Sequence, residues 1–245
     1  MNQINWNNIL IRASCMGYLF QEPKDAAAKK AGELSGTAKT YLIKTYIREY
    51  WGREKDYTNK KMQKGILGEP ELIKLLSLVD GQLYYKNDER KENEWASGHA
   101  DIITDDSIID GKASWEAESF LPKLLEPLDK IYNIQLQTYM WLYNKPKAKL
   151  MYGLVNAPDM LIQNELKALL YKMDVISEES PDYKLAAQET LKNMVFDDLP
   201  PTERVISIEI QRDDEIIAQM PQKVEKARQF LKKFHEKHLS LYPQR

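Results

Sequence analysis

The 245-residue chain has one cysteine, Cys15, three histidines and no long apolar run. A single cysteine excludes a disulfide framework and any four-cysteine iron–sulfur or zinc site built within one chain. A transmembrane helix needs about 18 consecutive apolar residues, and no such run occurs. The start, 1–6, has no basic segment followed by an apolar one, and the Gly-x-x-x-x-Gly-Lys-Ser/Thr loop is missing. We therefore expect a cytoplasmic chain without membrane association.

The composition is that of a globular protein large enough to bury a substantial core, with 43% hydrophobic and 29% charged residues. The net charge of −2 is unevenly distributed. Residues 1–64 carry 12 Lys/Arg and 6 Asp/Glu, giving +6, whereas the remainder carries 23 and 31, giving −8. A basic part can attract phosphates while an acidic part holds a cation. A solvated basic helix face would give the same charge pattern.

The stretch 98–114 has two short runs of β-forming residues around a polar turn, which is the pattern of a β-hairpin. If the turn is centred on the pair of aspartates between them, Asp101 faces Asp110 across the ladder. Opposed side chains lie about 4.5–5.5 Å apart at Cβ, and Lys112 shares the face of Asp110 because side chains alternate. Two facing carboxylates repel each other unless a divalent cation relieves the repulsion. The pattern therefore predicts a metal site with a lysine beside it.

The order of predicted elements indicates an α/β (α+β) fold with a central mixed sheet flanked by helices and helical additions at both ends. We expect 34–64 to be mostly helical with Ser35 as its N-cap. The further predicted elements are a helix at 66–79, a strand at 83–85, an irregular or short-helical stretch at 115–129, a helix at 131–143, a strand at 149–155, helices at 159–173 and 182–195, a strand at 204–210 and a charged helix at 213–239. One domain is expected over 1–245, made of a helical, basic part at 1–64, a core at 65–156, and terminal helices with an edge strand at 157–245.

Two helical features accompany the hairpin. Glu69 precedes Pro70, and because proline is tolerated in the first helical turn, we expect Glu69 near the start of the helix at 66–79. A carboxylate at that end is compatible with the helix dipole. Gln135 and Tyr139 are four residues apart and share a helix face. Each feature alone is typical of an ordinary helix surface. Their positions before and after the hairpin make Glu69, Gln135 and Tyr139 candidates for the same site as the hairpin carboxylates.

Together these residues resemble the signature of the PD-(D/E)XK nuclease superfamily, which has a helix glutamate, Gly-x-x-Asp, two hydrophobic residues before Asp-x-Lys, and Gln-x-x-x-Tyr. The matching residues are Glu69, Gly98 with Asp101, Ile108 to Lys112, and Gln135 with Tyr139. The chain is most similar to the RecB-type, lambda-exonuclease and YqaJ-like branch, common among phage recombination enzymes. The segments Ile11–Ser14, Leu34–Leu42 and Gln135–Met140 also resemble this branch, and the resemblance covers roughly 9–165.

The resemblance implies a restriction-endonuclease-like core and a deoxyribonuclease that hydrolyses phosphodiester bonds with Mg²⁺ or Mn²⁺. The metal ligands that it implies are Glu69, Asp101, Asp110 and the carbonyl of Gly111. Such a metal polarises the scissile phosphate and lowers the pKa of a bound water. Lys112 would orient or deprotonate that water and offset charge in the transition state, and Gln135 and Tyr139 would hold the phosphate or the water.

The substrate implied by the resemblance is linear duplex DNA, which an exonuclease of this branch digests from an end. Arg12, Ser14 and Lys39, in the basic part, are the residues expected to bind a terminal phosphate. The resemblance further implies a homo-oligomer, a single-strand-annealing recombination partner, and the bacterial host cytoplasm if the chain is phage-encoded.

Three positions depart from the usual pattern of the superfamily. His99 and Ala100 precede the aspartate where Thr-Pro is more common, Gly111 replaces Ile or Val, and Ala113 replaces Ser or Thr. No acid and no lysine is lost, and alternation turns His99 away from the face of Asp101, so we expect a structural role for it. Two alternatives stay open, namely an endonuclease or nickase of the same fold, and an inactive DNA-binding protein.

Overall fold

A computed structural model of the protein describes residues 4–54, 60–175 and 177–241, with the backbone alone for 60–66. The helices are α1 (Ala13–Leu19), α2 (Ala26–Lys30), α3 (Gly36–Trp51), α4 (Lys60–Asp80), α5 (Ala117–Phe120), α6 (Lys130–Tyr143), α7 (Asp159–Met173), α8 (Pro181–Lys192) and α9 (Asp214–Ser240). The strands are β1 (Ile11–Arg12), β2 (Lys91–Glu92), β3 (Ala96–Gly98), β4 (Ile102–Ile103), β5 (Ser107–Ser114), β6 (Lys147–Leu154) and β7 (Val205–Gln211). None of the helices in these ranges has the length and apolar character needed to cross a bilayer.

The larger sheet has the strand order β4-β5-β6-β7. β5 pairs antiparallel with β4 and parallel with β6, and β6 pairs antiparallel with β7. A smaller sheet, of order β1-β3-β2, joins the N-terminal strand to the segment before the hairpin. Mixed sheets flanked by helices confirm the predicted fold class. The predicted division of the chain into parts stays a prediction.

Helices cover both faces of the larger sheet. Along β5, Ile108 packs in one core cluster with Leu136 of α6, whereas Ile109 packs in another with Leu72 of α4. Successive side chains of a strand point to opposite faces. Asp110 is therefore directed to the α6 side, where it is 2% exposed.

Small residues allow α4 to lie close to the sheet. A Cβ at Gly111 would lie 2.7 Å from Cδ2 of Leu72, and a Cβ at Gly153 of β6 would collide with the same side chain. A Cβ at Gly68 of α4 would lie 3.2 Å from that of Ala113. The two departures from the family pattern at Gly111 and Ala113 are thus explained by the space that α4 occupies.

The long C-terminal helix α9 ties the N-terminal part to the core, and its buried face packs in a cluster with residues of α1 and α3. Arg228, 4% exposed, donates hydrogen bonds to the carbonyl oxygens of Ile9 at 3.1 Å and Glu94 at 2.6 Å. Its guanidinium also lies 4.7 Å from the ring centre of Trp95. One buried cation therefore connects three segments that are distant in the sequence.

Most predicted elements are confirmed. Ser35 caps α3 by accepting a hydrogen bond from the N–H of Ala38 at 3.1 Å, and the hairpin has the predicted register, with Ile102 opposite Ile109. The predicted helical stretch 34–64 is interrupted, since α3 ends at Trp51 before Gly52, whose φ is +62°. Its part at 55–59 lies outside the described residues.

The strand predicted at 83–85 is wrong, because that segment is irregular. The N–H of Tyr84 donates to Ser77 Oγ at 3.0 Å, and its hydroxyl donates to Asp80 at 2.6 Å. These bonds tie Tyr84 to the last turns of α4, so its backbone amide is taken up by a side chain rather than by a sheet.

The predicted position of Glu69 near a helix start is also wrong. α4 begins at Lys60, and Pro70 lies inside it. A proline within a helix costs about 3 kcal/mol, but the apolar face of this helix is packed on the sheet through Leu72 and Leu76, which are 3% and 0% exposed. Burial of that face outweighs the local preference of proline for the first turn.

Candidate active site

A cleft of about 830 Å³ opens between α4, the hairpin and the segment after β5. Residues from each of these parts line it, including Glu69, Asp101, Gly111, Lys112 and Tyr132. The hairpin contributes its side chains at the end of β5, where the strand runs between α4 and α6. The cleft therefore gives solvent access to Gly111 and Lys112, whereas Asp110 is 2% exposed.

Asp101 and Asp110 form the carboxylate pair that the hairpin register predicts. Asp101 Oδ2 accepts a hydrogen bond from the N–H of Gly111 at 2.9 Å. Burial, and then the charge of Asp110, raises the pKa of Asp101 to about 6, although Lys112 and the Gly111 amide act in the opposite direction. Burial and the like charge of Asp110 both disfavour the ionised form of Asp101, and a bound cation would favour it.

The two oxygens of Asp110 have different neighbours. Oδ1 accepts a hydrogen bond from Gln135 Nε2 at 2.9 Å. Oδ2 forms an ion pair with the Lys112 ammonium, yet this buried oxygen accepts no hydrogen bond of regular geometry. Burial lowers the pKa of Lys112, but the charges of Asp110 and Asp101 outweigh it and raise the pKa overall. Lys112 is thus held as a cation beside the carboxylates.

Tyr139 completes the α6 side of the site. Its hydroxyl lies 3.4 Å from Gln135 Nε2, and its ring packs so tightly on β3 that a Cβ at Gly98 would lie 2.8 Å from Cε1. Burial, and then the charges of Asp110 and Asp101, raises the pKa of Tyr139. The phenol therefore stays protonated near neutral pH, and the glycine of the Gly-x-x-Asp motif makes room for it.

Glu69 lies near the aspartate pair, but its carboxylate is paired with Lys86. Its Oε2 forms an ion pair with Lys86 Nζ at 2.6 Å, and its charge contributes to the raised pKa of Asp101. Within the ranges that the structure describes, no three His, Cys, Asp or Glu side chains are close enough to hold a metal ion together. The structure thus assembles the aspartate pair and leaves the predicted glutamate ligand on Lys86.

The donor set nevertheless fits a hard divalent cation. Carboxylate and carbonyl oxygens are the ligands that Mg²⁺ and Mn²⁺ prefer, and Asp101, Asp110 and Gly111 supply both kinds. Asp110 Oδ2 is buried without a regular hydrogen bond, and the pKa of Asp101 is raised by burial and by the like charge of Asp110. These two observations concern the chain itself and favour a cation at the aspartate pair.

Arg12, Ser14 and Lys39, which are expected to bind a terminal phosphate, are not among the described residues that line this cleft. Arg12 pairs with Glu54 at 2.9 Å, and Lys39 pairs with Glu33 at 2.9 Å. Ser14 is exposed in the first turn of α1. Arg12 instead lines a separate cavity of about 300 Å³, which also contains Arg48, Arg90 and Glu49.

His99 lies outside the cleft, as alternation predicts. Its Nε2 donates a hydrogen bond to the carbonyl of Asn87 at 2.6 Å. This contact connects the loop before the hairpin to the segment that carries Lys86. A structural role for His99 is consistent with this position.

Two neighbours of the site, Lys86 and Tyr132, were not predicted from the sequence. Lys86 lies in an irregular segment and gave no sequence signal. Tyr132 lies three residues before Gln135 on α6, and its ring centre is 5.4 Å from Lys112 Nζ. The helical spacing of 132, 135 and 139 on one face was the signal that could have identified it.

The fold of the chain matches those of solved exonuclease structures over nearly its whole length. A phage-related exonuclease from Haemophilus somnus aligns with 94% of this chain and 97% of its own, at 27% identity and a TM-score of 0.71. An alkaline exonuclease from Laribacter hongkongensis aligns with 96% of this chain and 98% of its own, at 15% identity and a TM-score of 0.61. The latter enzyme in complex with dAMP aligns with 95% of this chain and 94% of its own, at 15% identity and a TM-score of 0.60.

The two matches at 15% identity support the fold alone. With the first match, they confirm the predicted likeness in fold to phage-related and alkaline exonucleases, and the first match indicates a nuclease. No family model and no curated protein matches the sequence.

Proposed function

We propose that the protein is a metal-dependent deoxyribonuclease that digests linear duplex DNA from its ends. The observation that carries the proposal is the side-chain arrangement on β5, where Asp110 lies between Gln135 and Lys112 and faces Asp101. This arrangement occurs in a chain whose fold matches exonucleases over nearly its full length. The phage-related enzyme among them supports a place in phage-type recombination or DNA processing.

The chain's residues divide the chemistry among them. Asp101, Asp110 and the carbonyl of Gly111 would hold Mg²⁺ or Mn²⁺, and Glu69 would join them on leaving Lys86. When bound, the metal supplies Lewis-acid polarisation of the scissile phosphate and a more acidic water.

Lys112 orients the attacking water and stabilises the negative charge that develops on the phosphate. Gln135 holds Asp110 in place through its Oδ1. Tyr139, which stays protonated, donates a hydrogen bond to the phosphate or the water. In the hydrolysis, the water's oxygen bonds to phosphorus while the bond between phosphorus and the leaving oxygen breaks. The water gives up one proton and the leaving oxygen takes one up, so that the step balances.

DNA is the substrate that the comparisons favour, since one related enzyme was crystallised with dAMP. Arg12, Ser14 and Lys39 are proposed to bind the terminal phosphate of the DNA, with Arg12 and Lys39 released from Glu54 and Glu33. A homo-oligomer and a single-strand-annealing partner are proposed with them, on the resemblance to phage recombination enzymes.

The decisive experiment uses purified protein with Mg²⁺ on end-labelled linear duplex DNA beside a covalently closed plasmid. Lys112→Met is the test variant. Lys149→Met is the matched control, because Lys149 lies on the neighbouring strand β6 and also pairs with a carboxylate, Asp80 at 3.0 Å, outside the cleft. We expect degradation of the linear DNA alone, lost in Lys112→Met and retained in Lys149→Met.

Each other outcome changes the conclusion. Cutting of the closed circle would show an endonuclease or nickase. If the protein binds DNA but shows no cleavage that is lost in Lys112→Met, it is a DNA-binding protein. End recognition is tested by comparing 5′-phosphorylated with 5′-hydroxyl ends. Arg12→Ala is expected to reduce the preference for one of these ends, whereas Lys29→Ala, which breaks an exposed ion pair with Glu22 in the same basic part, is expected to leave it unchanged.

A further inference from the structure

Tyr132 is placed against the lysine of the Asp-x-Lys motif by the geometry of α6 and β5. Tyr132, Gln135 and Tyr139 are spaced by three and four residues and so share one helix face. Gln135 contacts Asp110 at 2.9 Å, and one turn earlier the ring of Tyr132 lies 5.4 Å from Lys112 Nζ. The helix and the strand therefore run in opposite directions, and Asp110 and Lys112, which share one face of β5, each meet a residue of α6.

Among the residues that the structure describes, Lys112 contacts Asp110 and Tyr132, and the contact with Asp110 conflicts with metal binding. Asp110 Oδ1 is occupied by Gln135, while Oδ2 contacts the Lys112 ammonium. A cation bound to Asp110 through Oδ2 would compete with the lysine for that oxygen. The aromatic ring of Tyr132 is a neutral partner that attracts an ammonium without binding a metal ion. Of the two contacts, the one with the Tyr132 ring is thus the contact that Lys112 can keep when Asp110 binds a cation.

A second aromatic ring is close but differently engaged. Tyr152 of β6 lies opposite Lys112 in the sheet register. It is 8% exposed, and Lys123 Nζ lies 5.9 Å from its ring centre. Within the part of the chain that the structure describes, Tyr132 is therefore the aromatic side chain paired with the Lys112 ammonium.

We propose that Tyr132 is a positioning residue, which holds Lys112 over the aspartate pair when Asp110 binds the catalytic cation. The proposal rests on the proposed nuclease function, and it assigns Tyr132 no contact with DNA. Removal of the ring should therefore impair turnover rather than DNA binding.

The kinetic test compares Tyr132→Leu, which removes the ring face, with Tyr132→Phe, which retains it. A cation–π contact is worth about 1–2 kcal/mol when partly buried, which corresponds to a fall in kcat of roughly 5- to 30-fold in Tyr132→Leu. The KM for DNA should stay the same, and Tyr132→Phe should restore kcat. The matched control is Tyr171→Leu, since Tyr171 on α7 is 89% exposed and lies outside the cleft.

A second readout is independent of cleavage. In protein labelled at lysine, the ε-methylene signal of Lys112, assigned from Lys112→Met, should be shifted upfield by the ring current of Tyr132. Addition of Ca²⁺, used as a non-catalytic cation, should leave this upfield shift in place in the wild type and in Tyr132→Phe. The shift should be missing in Tyr132→Leu.

The outcomes separate the two proposals. If the wild type cleaves no DNA, the proposed function fails, while the Lys112 signal still reports on Tyr132. If the wild type cleaves DNA and Tyr132→Leu has the kcat of the wild type, whether or not its KM for DNA is raised, the positioning role is overturned. Loss of the upfield shift in the wild type on addition of Ca²⁺ would also overturn it, even if Tyr132→Leu did not fold.

Discussion

Replacement of Asp101 by asparagine should stabilise the metal-free protein at neutral and alkaline pH. Burial and the charge of Asp110 raise the pKa of Asp101 from 3.8 to about 6. A shift of this size corresponds to about 3 kcal/mol of unfolding free energy. The asparagine side chain would carry no charge and could still accept the hydrogen bond from the N–H of Gly111. The variant is therefore expected to avoid the cost of ionising the buried carboxyl.

The sign of the effect follows from proton binding. Between pH 3.8 and about 6, the folded wild type binds more protons at Asp101 than the unfolded chain does. Stability therefore falls as pH rises through this window, and the full penalty is present above pH 6. The difference in stability between Asp101→Asn and the wild type should be close to zero near pH 4 and reach its maximum above pH 7.

The assay is thermal and denaturant unfolding in EDTA across this pH range, followed by titration with Mn²⁺. A stabilisation of about 3 kcal/mol corresponds to an increase in Tm of about 6–12 °C for a chain of this size. Mn²⁺ should stabilise the wild type and have a much smaller effect on Asp101→Asn. A variant that is less stable than the wild type at pH 8 in EDTA, or a difference that does not change with pH, would refute the reasoning.

Three further changes test other contacts. Lys86→Met frees Glu69 from its ion pair, so less Mn²⁺ should be needed for half-maximal activity. An unchanged or higher Mn²⁺ requirement would show that Lys86 does not compete with the metal ion for Glu69. Gln135→Leu should lower the rate of DNA cleavage while the fold stays intact. Its control is Gln137→Leu, which removes hydrogen bonds to the segment before α9. This control should lower Tm without lowering the activity of the folded protein. Arg228→Met removes the hydrogen bonds to the carbonyl oxygens of Ile9 and Glu94 and should cost about 2–4 kcal/mol in denaturant unfolding without changing kcat.

Local patterns predicted the parts of the fold that depend on neighbours in the sequence. The hairpin register followed from the position of its turn, and it brought Asp101 opposite Asp110. The helix at 131–143 followed from its apolar spacing, and with it the shared face of Gln135 and Tyr139. In each case the relevant side chains are separated by a few residues or by one tight turn, so periodicity alone orients them.

Contacts between distant segments could not be predicted in this way. The pairing of β1 with β3 joins Ile11 to Ala96, and no local pattern encodes that register. Lys86 reaches Glu69 from an irregular stretch, so the diversion of this carboxylate from the aspartate pair depends on tertiary structure. The departure at Gly111 was likewise unexplained until Leu72 was found to occupy the space above it.

The places where local rules fail are concentrated around one cleft. Pro70 lies inside a helix next to Glu69, Gly111 interrupts the β-forming residues of β5, and Asp101 is ionised at a cost in stability. Each of these features lowers stability when considered alone. Natural sequences depart from local rules mainly where a site requires it. Gly111 leaves the space in which Leu72 of α4 packs on the sheet, and α4 carries Glu69 to the wall of the cleft. The departures from local rules are therefore concentrated at residues that the proposed function uses.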